Sequence, residues 1–300
     1  MASQQDMEFT YSLIDRIFRL SIGERGDFSG AMYDGDFSLT LEEAQAKKHR
    51  FISDMLGVKS GTRVLDMGCG WGPLLEYFRT LGAEAKGLTL STAQAASCIG
   101  AGLDVEIADC RTITKEQVGQ FDAVTSLGAF EHFCSVEDYQ QGRQDAIYES
   151  FFHTVADLLP SGGRFFLQTM VFGRNMIDYR DIDIHATRGS VPYSVAVMQR
   201  QFPGSWLPFG REQIERNAAP YFRTVAASSG RLDYIETIRQ WGLRYRRFSA
   251  KKYGFYLTLL PRYLADRKLR ERLSRDQVRA NIFCFEQEVL DHFRLVFEKR

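Results

Sequence analysis

Apolar and polar positions along the chain follow two different periods. Between residues 63 and 169, short apolar runs are separated by stretches whose apolar residues recur three and four positions apart. The first pattern is typical of buried strands and the second of helices packed on one face. The predicted strands are 63–67, 84–89, 104–108, 122–127 and 164–169, and the predicted helices are 72–81, a helix that includes Gln94, and 145–159. Strands that alternate with helices in this way predict an α/β fold with a parallel sheet and helices on both faces.

Two helices are predicted before this alternation begins. Residues 7–22 place Phe9, Leu13 and Ile17 on one face, which indicates an amphipathic helix. A second helix is predicted from Thr40 to about residue 56, where Thr40 and Glu43 have the spacing of a capping box. We therefore expect an N-terminal helical cap over residues 1–56, followed by the main domain over 57–300.

The alternation breaks between residues 170 and 220. This stretch is rich in Gly, Pro and aromatic residues, and its position after a strand predicts an insertion that forms a lid over the strand ends. A strand is predicted at 222–228, and helices are predicted from Tyr234 onward and over the strongly charged stretch 262–279. Residues 292–297 alternate again and predict a last strand, which could run antiparallel to the others.

Composition narrows the class of protein. The 300 residues are 44% hydrophobic and their formal net charge is zero, so no basic excess indicates a nucleic-acid partner. The five cysteines are scattered and lack C-x-x-C pairs, and the histidines lack metal-ligand spacing, so we expect a cytoplasmic protein without a metal site. The polar first residues and the absence of a long apolar run predict neither a secretion signal nor a membrane span.

A glycine-rich loop follows the first predicted strand. Asp66 precedes Gly68, Gly70 and Gly72, and a helical pattern follows. Glycines allow a backbone to approach a flat ligand, and the lack of basic or hydroxyl residues favours a nucleoside-like ligand over a pyrophosphate. Ligands of parallel sheets bind at the carboxyl ends of the strands, where four further groups are predicted to lie. These groups are Thr89, Asp109, the segment from Leu127 to Glu131, and Gln168.

Taken together, these motifs resemble the cyclopropane fatty acid and mycolic acid cyclopropane synthases, a family of S-adenosylmethionine (SAM) methyltransferases. The resemblance implies a Rossmann-like, seven-stranded methyltransferase sheet. It runs in the family's order from about residue 28 to the end of the chain, and the combination of the G-C-G-W-G loop with the F-E-H segment is highly specific. The matching segments are 40–45, 64–72, 87–91 with Gln94, 128–133, 158–163, 202–204 with 207–208, and 234–238 with Trp241.

The resemblance also implies which residues surround SAM. In the family's arrangement, the loop after Asp66 faces the methionine and ribose parts, and further residues lie along the ribose, the adenine and the methionine end. These residues are Gly68, Gly70 and Gly72 in the loop, Thr89 and Gln94 along the ribose and adenine, Asp109 near the adenine amino group, the Leu127 backbone at the methionine end, and Ser29 as a cover. A helix cap is an alternative role for Thr89 and Gln94.

The same resemblance implies a catalytic site that is altered here. Cyclopropanating relatives hold bicarbonate with a Cys, a Glu, a His and a Tyr. Glu131 and Tyr234 match this set, whereas Gly30 replaces the Cys and Gln168 replaces the His. We expect Glu131, Tyr234, His132 and Gln168 to form the catalytic site, and His132 could equally be structural. The replacements leave three alternatives for bicarbonate: it binds weakly, binds differently or is absent.

We therefore predict a SAM-dependent methyltransferase that methylates or cyclopropanates an apolar, lipid-like acceptor such as an unsaturated chain. Two other partners fit a lipid substrate, namely the periphery of a membrane and a carrier protein. The alternative within this class is N- or O-methylation of a small molecule. A nicotinamide oxidoreductase is disfavoured because Thr89 stands where an acidic residue would hold the ribose. A cofactor-binding protein without catalysis is disfavoured by the presence of Glu131 and Tyr234.

Overall fold

A mixed sheet flanked by helices makes up the part of the chain that the computed structural model describes, which is residues 26–202, 204–265 and 275–300. The predicted helix at 7–22 lies outside the described residues, as does 266–274 of the charged stretch. The elements are, in chain order, α1 (Leu41–Leu56), β1 (Arg63–Met67), α2 (Pro73–Thr80), β2 (Glu84–Thr89), α3 (Thr92–Gly100), β3 (Asp104–Ile107), α4 (Lys115–Val118), β4 (Ala123–Leu127), a 3-10 turn (Phe130–His132), α5 (Val136–Gln140), α6 (Gln144–Leu158), β5 (Arg164–Phe172), a 3-10 turn (Tyr179–Asp181), α7 (Val191–Gln201), α8 (Gly210–Ala218), β6 (Phe222–Ser229), α9 (Arg231–Arg246), α10 (Ala250–Ala265), α11 (Arg275–Glu286) and β7 (Leu290–Lys299).

The sheet has seven strands among the described residues, in the order β3-β2-β1-β4-β5-β7-β6. Strands β1 to β5 are mutually parallel, and β7 runs antiparallel between β5 and β6. The predicted Rossmann-like, seven-stranded sheet is confirmed, as is the antiparallel last strand. Because the chain turns back from β3 to place β4 beside β1, the carboxyl ends of β1 and β4 flank the switch in strand order, where α/β sheets bind their ligands.

Aromatic side chains fill the layer between the sheet and α6. Phe151 and Phe152 on α6 meet Phe165 on β5, with ring centroids 5.9 and 6.2 Å apart. Phe297 on β7 stacks against Phe165 at 5.9 Å. Such ring pairs contribute beyond the burial of their surface. This layer fixes β5 and β7 together, which positions the site residues that these strands carry.

Helix α1 begins and ends at the predicted signals. The Thr40 hydroxyl accepts a hydrogen bond from the Glu43 N–H at 3.2 Å, and the Glu43 carboxylate accepts one from the Thr40 N–H at 2.8 Å. Gly57, with φ of 67°, ends the helix. Leu41 and Ala44 are buried in the main core. The boundary of the N-terminal cap at residue 56 stays a prediction.

Strand β5 is longer than the sequence pattern indicated. It was expected to end at residue 169, where the insertion 170–220 would begin, but it continues to Phe172. The antiparallel pairing explains the extension, because Leu290 of β7 pairs with Phe172. The Phe172 N–H also donates to the Pro208 carbonyl at 2.8 Å. The insertion therefore leaves the sheet after this strand, and it contains α7 and α8.

Smaller differences concern helices. Helix α9 begins at Arg231, before the expected start at Tyr234, and the short helices α4 and α5 were not predicted. Helices of four or five residues are too short for a periodic pattern to emerge. Among the described residues, no helix combines the length and the apolar character needed to cross a bilayer.

Candidate functional site

The glycine-rich loop joins β1 to α2 at the switch in strand order. Gly68 and Cys69 both donate backbone hydrogen bonds to the Leu88 carbonyl on β2, at 3.0 and 2.9 Å. Asp66, at the end of β1, is buried and accepts a hydrogen bond from the Thr125 hydroxyl at 2.8 Å. Burial raises the pKa of Asp66 to about 7. The loop is thus anchored to both neighbouring strands.

The three glycines of the loop have different roles. A Cβ on Gly68 would lie 2.6 Å from the Ala129 Cβ, and one on Gly72 would lie 2.6 Å from the Leu103 Cδ1. Gly70, with φ of 55°, has open space at that position. The resemblance implied that all three face the cofactor. Gly68 and Gly72, with φ of 91° and 76°, also require glycine for their own backbone conformation. Of the three, Gly70 has open space where a side chain would stand, and its contact with the cofactor stays a prediction.

A second opening lies on the neighbouring strand. Gly128 follows β4 with φ of 74°, and its Cβ position is also open. Leu127, the last residue of β4, is half-buried, and the Gly128 N–H donates to the Gln168 carbonyl on β5 at 3.0 Å. Backbone without side chains is therefore presented at the ends of both strands that flank the switch point.

Thr89 and Gln94 are hydrogen-bonded to each other. The Thr89 hydroxyl donates to the Gln94 Oε1 at 2.8 Å, and both residues are buried at the end of β2. The helix cap that was an alternative role for them belongs to Ser91, whose hydroxyl accepts from the Gln94 N–H at 3.3 Å. The buried polar pair therefore remains a candidate for contact with a ribose.

Asp109 is engaged by its own loop. Its carboxylate accepts from the Arg111 Nε at 3.0 and 3.2 Å and from Nη2 at 2.6 Å. Partial burial opposes ionisation, but these hydrogen bonds from Arg111 hold the pKa of Asp109 below its usual range. The structure thus pairs this carboxylate with a guanidinium, and its place beside an adenine amino group, which the resemblance implies, stays a prediction.

Ser29 belongs to a buried ionic network. Its hydroxyl donates to the Asp27 Oδ1 at 2.6 Å and accepts from the Lys48 Nζ. Lys48 and His49 each place a side-chain nitrogen 2.8 Å from the Asp27 Oδ2. Burial alone would raise the pKa of Asp27, but Lys48 and His49 hold it well below its usual range. In this network Ser29 fixes the N-terminal loop to α1.

Glu131 lies in the 3-10 turn after β4 and is buried. Its Oε1 accepts a hydrogen bond from the Met170 N–H on β5 at 2.9 Å. Its Oε2 is also buried and has no hydrogen-bond partner among the described residues. Burial raises the pKa of Glu131 to about 7, since the hydrogen bonds from the backbone and from the Thr169 side chain offset only part of the cost of burying the charge.

Gln168 and Tyr234 converge on Gly30. The Gln168 Nε2 donates to the Gly30 carbonyl at 3.1 Å, and its buried Oε1 has no hydrogen-bond partner among the described residues. A Cβ on Gly30 would lie 2.6 Å from the Tyr234 Cδ2. Burial and the nearby Glu131 raise the pKa of Tyr234 above its usual value. These four residues are brought together.

His132 is not part of this group. Its Nδ1 lies 3.0 Å from the Ser205 hydroxyl, in the insertion between β5 and β6. Burial lowers the pKa of His132 to about 4, which keeps the imidazole neutral at physiological pH. The contact indicates that His132 positions the insertion against the turn that carries Glu131.

His292 and Arg294 join the site although the sequence did not single them out. His292, on β7, stacks on Tyr234 with ring centroids 4.8 Å apart and 11° between the planes. Its Cε1 lies 3.0 Å from the Cβ position of Gly30. Burial and the positive charges of Arg294 and Lys48 lower the pKa of His292 well below its usual value. The available signal was two polar residues at alternate positions of a buried strand.

The residues at the strand ends fit SAM. Gly70 and Gly128 offer open backbone, and Thr89 and Gln94 offer buried hydroxyl and amide groups to a ribose. Backbone amides and short polar groups suit a zwitterion with a nucleoside. The fold and this arrangement define an α/β enzyme that binds a nucleoside cofactor at its switch point.

Comparisons with known proteins specify the family. The sequence model of the mycolic acid cyclopropane synthetase family matches residues 1–254, so the chain belongs to this family. Cyclopropane mycolic acid synthase 3 of Mycobacterium tuberculosis is 30% identical over 236 residues, covering 77% of this chain and 78% of the relative. Hydroxymycolate synthase MmaA4 of Mycobacterium bovis is 29% identical over 248 residues, covering 79% and 77%.

Solved structures show the same fold. Cyclopropane synthase CmaA1, complexed with SAH and CTAB, has a TM-score of 0.75 at 22% identity and covers 99% of this chain and 98% of its own. Coclaurine N-methyltransferase has a TM-score of 0.71 at 15% identity and covers 96% and 80%. The enzyme is a SAM-dependent methyltransferase, and the prediction of its class and cofactor is confirmed.

Proposed function

We propose that this methyltransferase transfers a methyl group to a carbon of an unsaturated, lipid-like acceptor. Glu131 then accepts a proton from the methylated, positively charged acceptor. One observation carries the proposal. Glu131 is a buried carboxylate with one oxygen held by the Met170 N–H and the other without a partner among the described residues. The names of the relatives, which are mycolic acid synthases, and the CTAB bound to CmaA1 support a long apolar acceptor.

The residues at the strand ends would hold SAM, which supplies an electrophilic methyl group when bound. Gly70 and Gly128 would admit it against open backbone, and Thr89 and Gln94 would hydrogen-bond its ribose. The buried surroundings of Glu131 exclude water from the neighbouring acceptor. In-line positioning and exclusion of water supply a large part of the acceleration in such a transfer.

An alkene that takes up a methyl group becomes positively charged. The ionised Glu131 stabilises this charge, and its Oε2 accepts a proton either from the newly added methyl group or from a chain carbon next to the cationic centre. Loss of the proton from the new methyl group closes a cyclopropane ring, whereas loss from the chain leaves a methyl branch with a double bond. The pKa of about 7 keeps a substantial fraction of Glu131 ionised at neutral pH and lets it hold the proton afterwards.

We propose that the proton passes to Glu131 directly, without bicarbonate. The Gln168 Nε2 is committed to the Gly30 carbonyl, so its remaining Oε1 is an acceptor. Glu131 Oε2 is an acceptor as well when it is ionised. Two acceptor oxygens disfavour an anion between them. Tyr234 and His292 occupy the space that a side chain at Gly30 would need.

A second candidate function follows from the same two oxygens. An ammonium group would find acceptors in Glu131 and Gln168, which makes N-methylation of an apolar amine the competing proposal. Glu131 would then accept the ammonium proton before the methyl transfer. The acceptor atom therefore has to be determined by experiment.

Methyl transfer from SAM labelled with ¹³C in its methyl group distinguishes the two functions. The enzyme is incubated with an unsaturated phospholipid and, separately, with a long-chain amine, and the products are analysed by NMR. The proposal expects label on carbon, as a cyclopropyl or methyl-branch signal, and only with the unsaturated lipid. Label on nitrogen would establish the second candidate. Tight NADH binding without SAM binding in calorimetry would contradict both.

Cellular location is also a proposal. All five cysteines are buried and none of them forms a disulfide, which supports a reducing compartment such as the cytoplasm. A lipid-like acceptor would reach the enzyme from a membrane surface or from a carrier protein. The exposed apolar and basic residues of the protein distinguish between these two sources.

A further inference from the structure

Helix α10 presents an apolar face to solvent. Four of its large apolar residues are spaced four, three and four positions apart, so they share one face of the helix. They are Tyr253, Leu257, Leu260 and Leu264, with 49%, 71%, 48% and 67% of their surfaces exposed. Phe248, just before the helix, is 80% exposed. We refer to these five residues as the α10 face.

The opposite side of α10 is also occupied. Lys252 and Leu259 are buried, and Phe255 and Tyr256 between them are half-buried. The Lys252 ammonium donates to the carbonyls of Tyr245 and Arg247, at the end of α9. The helix is therefore held to the protein by one face while a second apolar face remains outward. A helix that is apolar on both sides is normally covered on both sides.

The charge around the α10 face identifies what covers it. Residues 243–265 contain six Lys or Arg and no Asp or Glu, although the whole chain has a formal net charge of zero. Of the six, Arg244 is paired with Glu42 of α1 and Lys252 is buried. Arg246 and Arg247 lie exposed beside Phe248 in sequence. Apolar and Tyr side chains flanked by basic residues are typical of helices that lie in the interface of an anionic bilayer.

Self-association fits this surface less well. A symmetric contact through the α10 face would bring Arg246 and Arg247 of two copies together, and residues 243–265 supply no acidic residue to neutralise them.

We propose that the α10 face docks the enzyme on the surface of an anionic lipid bilayer. Leu257, Leu260 and Leu264 enter the boundary between headgroups and acyl chains, and Arg246 and Arg247 contact the negatively charged headgroups. The proposal goes beyond the methyl acceptor, because it predicts binding to a bilayer in the absence of SAM and of any reaction.

Sedimentation with vesicles tests the proposal. The full chain is mixed with vesicles of phosphatidylcholine alone and with vesicles that contain phosphatidylglycerol. We expect binding to the anionic vesicles that weakens with added salt, since the headgroup contacts are screened. Leu257→Glu with Leu264→Glu should reduce this binding at least about tenfold, because charges then enter the apolar boundary.

A matched control is the change Ile99→Glu on α3, where the isoleucine is 59% exposed and lies outside residues 243–265. It should bind vesicles like the wild type. Thermal unfolding and SAM calorimetry of each variant verify the fold. The proposal is overturned if wild-type protein ignores anionic vesicles or if the double variant binds as well as the control. A dimer that the double variant dissociates, or unfolding at a markedly lower temperature, would show that protein covers the face instead.

Discussion

Gly30 is the residue at which the site departs most from the family pattern. The structure explains why glycine is accommodated there, since Tyr234 and His292 fill the volume that a side chain would occupy. The stacked rings of Tyr234 and His292 stand where the side chain of a cysteine at position 30 would lie. Gly30 has an ordinary backbone conformation, so its requirement comes from space and not from φ. Restoring a larger residue therefore has a cost that can be measured.

Replacing Gly30 by Ala should lower the free energy of unfolding by about 1–3 kcal/mol, the usual cost of overpacking a core. Tyr234 or His292 must move, because the new Cβ would lie 2.6 Å from one and 3.0 Å from the other. Chemical denaturation measures the loss. Gly242→Ala is the control, because its Cβ position in α9 is open and alanine favours a helix. A Gly30→Ala protein as stable as wild type would show that Tyr234 and His292 can move aside without a measurable loss of stability.

Glu131 gives methyl transfer a predictable dependence on pH. If its carboxylate is the base, activity should rise through an apparent pKa of about 7 and level off above it. Glu131→Gln should remove most of the activity together with this rise. Asp66 is another carboxyl group whose pKa is about 7, so Asp66→Asn is the control. The activity that this variant retains should still rise with pH through about 7. An unchanged profile in Glu131→Gln would remove Glu131 from the chemistry.

The same carboxyl group affects stability in the opposite direction. The pKa of Glu131 is raised from 4.5 in the unfolded chain to about 7 in the fold, so the folded state binds its proton more tightly. Its contribution to the free energy of unfolding is fully present below pH 4.5 and is lost as the pH rises through about 7. Denaturation between pH 5 and 8 should therefore show a shallower decline in Glu131→Gln than in the wild type.

At the scale of elements, the capping box of α1 fixes where the N-terminal loop ends. Thr40→Ala removes the acceptor for the Glu43 N–H and should cost about 1 kcal/mol in the free energy of unfolding. Ser38→Ala, two residues earlier in the exposed loop, is the matched control and should cost less. Urea denaturation measures both. Equal losses would indicate that the cap adds nothing to the folded protein.

The strands and their order were predictable because buried parallel strands give continuous apolar runs. Strands β1 and β2 begin and end where the pattern indicated. The end of β5 was not predictable, because it depends on pairing with β7, which lies more than a hundred residues away. The helices α4 and α5 gave no periodic signal, because four or five residues are too few for a periodic pattern to emerge.

The site was predictable in part. Glu131, Gln168 and Tyr234 could be placed together by motif. The structure brings Gln168 and Tyr234 to Gly30, and Glu131 lies near enough to Tyr234 to raise its pKa. His292 could not, because its approach to Tyr234 depends on where β7 enters the sheet. The partners of Ser29 and Asp109 depend on side-chain directions that a motif does not specify.

At the scale of the molecule, one buried ion pair joins three distant segments. The Arg294 Nη1 on β7 lies 2.9 Å from the Asp233 Oδ2 on α9. The Arg294 Nη2 donates to the Ala31 carbonyl at 2.7 Å, and the Asp34 N–H donates to Asp233 at 2.9 Å. The N-terminal loop, α9 and β7 are thus held around the site by one guanidinium and one carboxylate.

Asp233→Ala should lower the free energy of unfolding by about 3–5 kcal/mol, because it leaves the buried charge of Arg294 uncompensated. Adding Arg294→Met should restore part of the loss, since the unpaired charge is then removed. A thermodynamic cycle of the two single variants and the double variant measures the coupling. Strictly additive losses would show that the two side chains do not depend on each other.

The position of β7 has a consequence for the order in which the protein is made. Strand β6 is at the edge of the sheet and its neighbour is β7, which follows about sixty residues later in the chain. While the ribosome is still adding α9 to α11, β6 has no strand to pair with, and His292 and Arg294 do not yet exist. The nascent chain can pair strands β1 to β5 first, but the surroundings of Gly30 and Tyr234 are complete only after residues 290–299 have emerged.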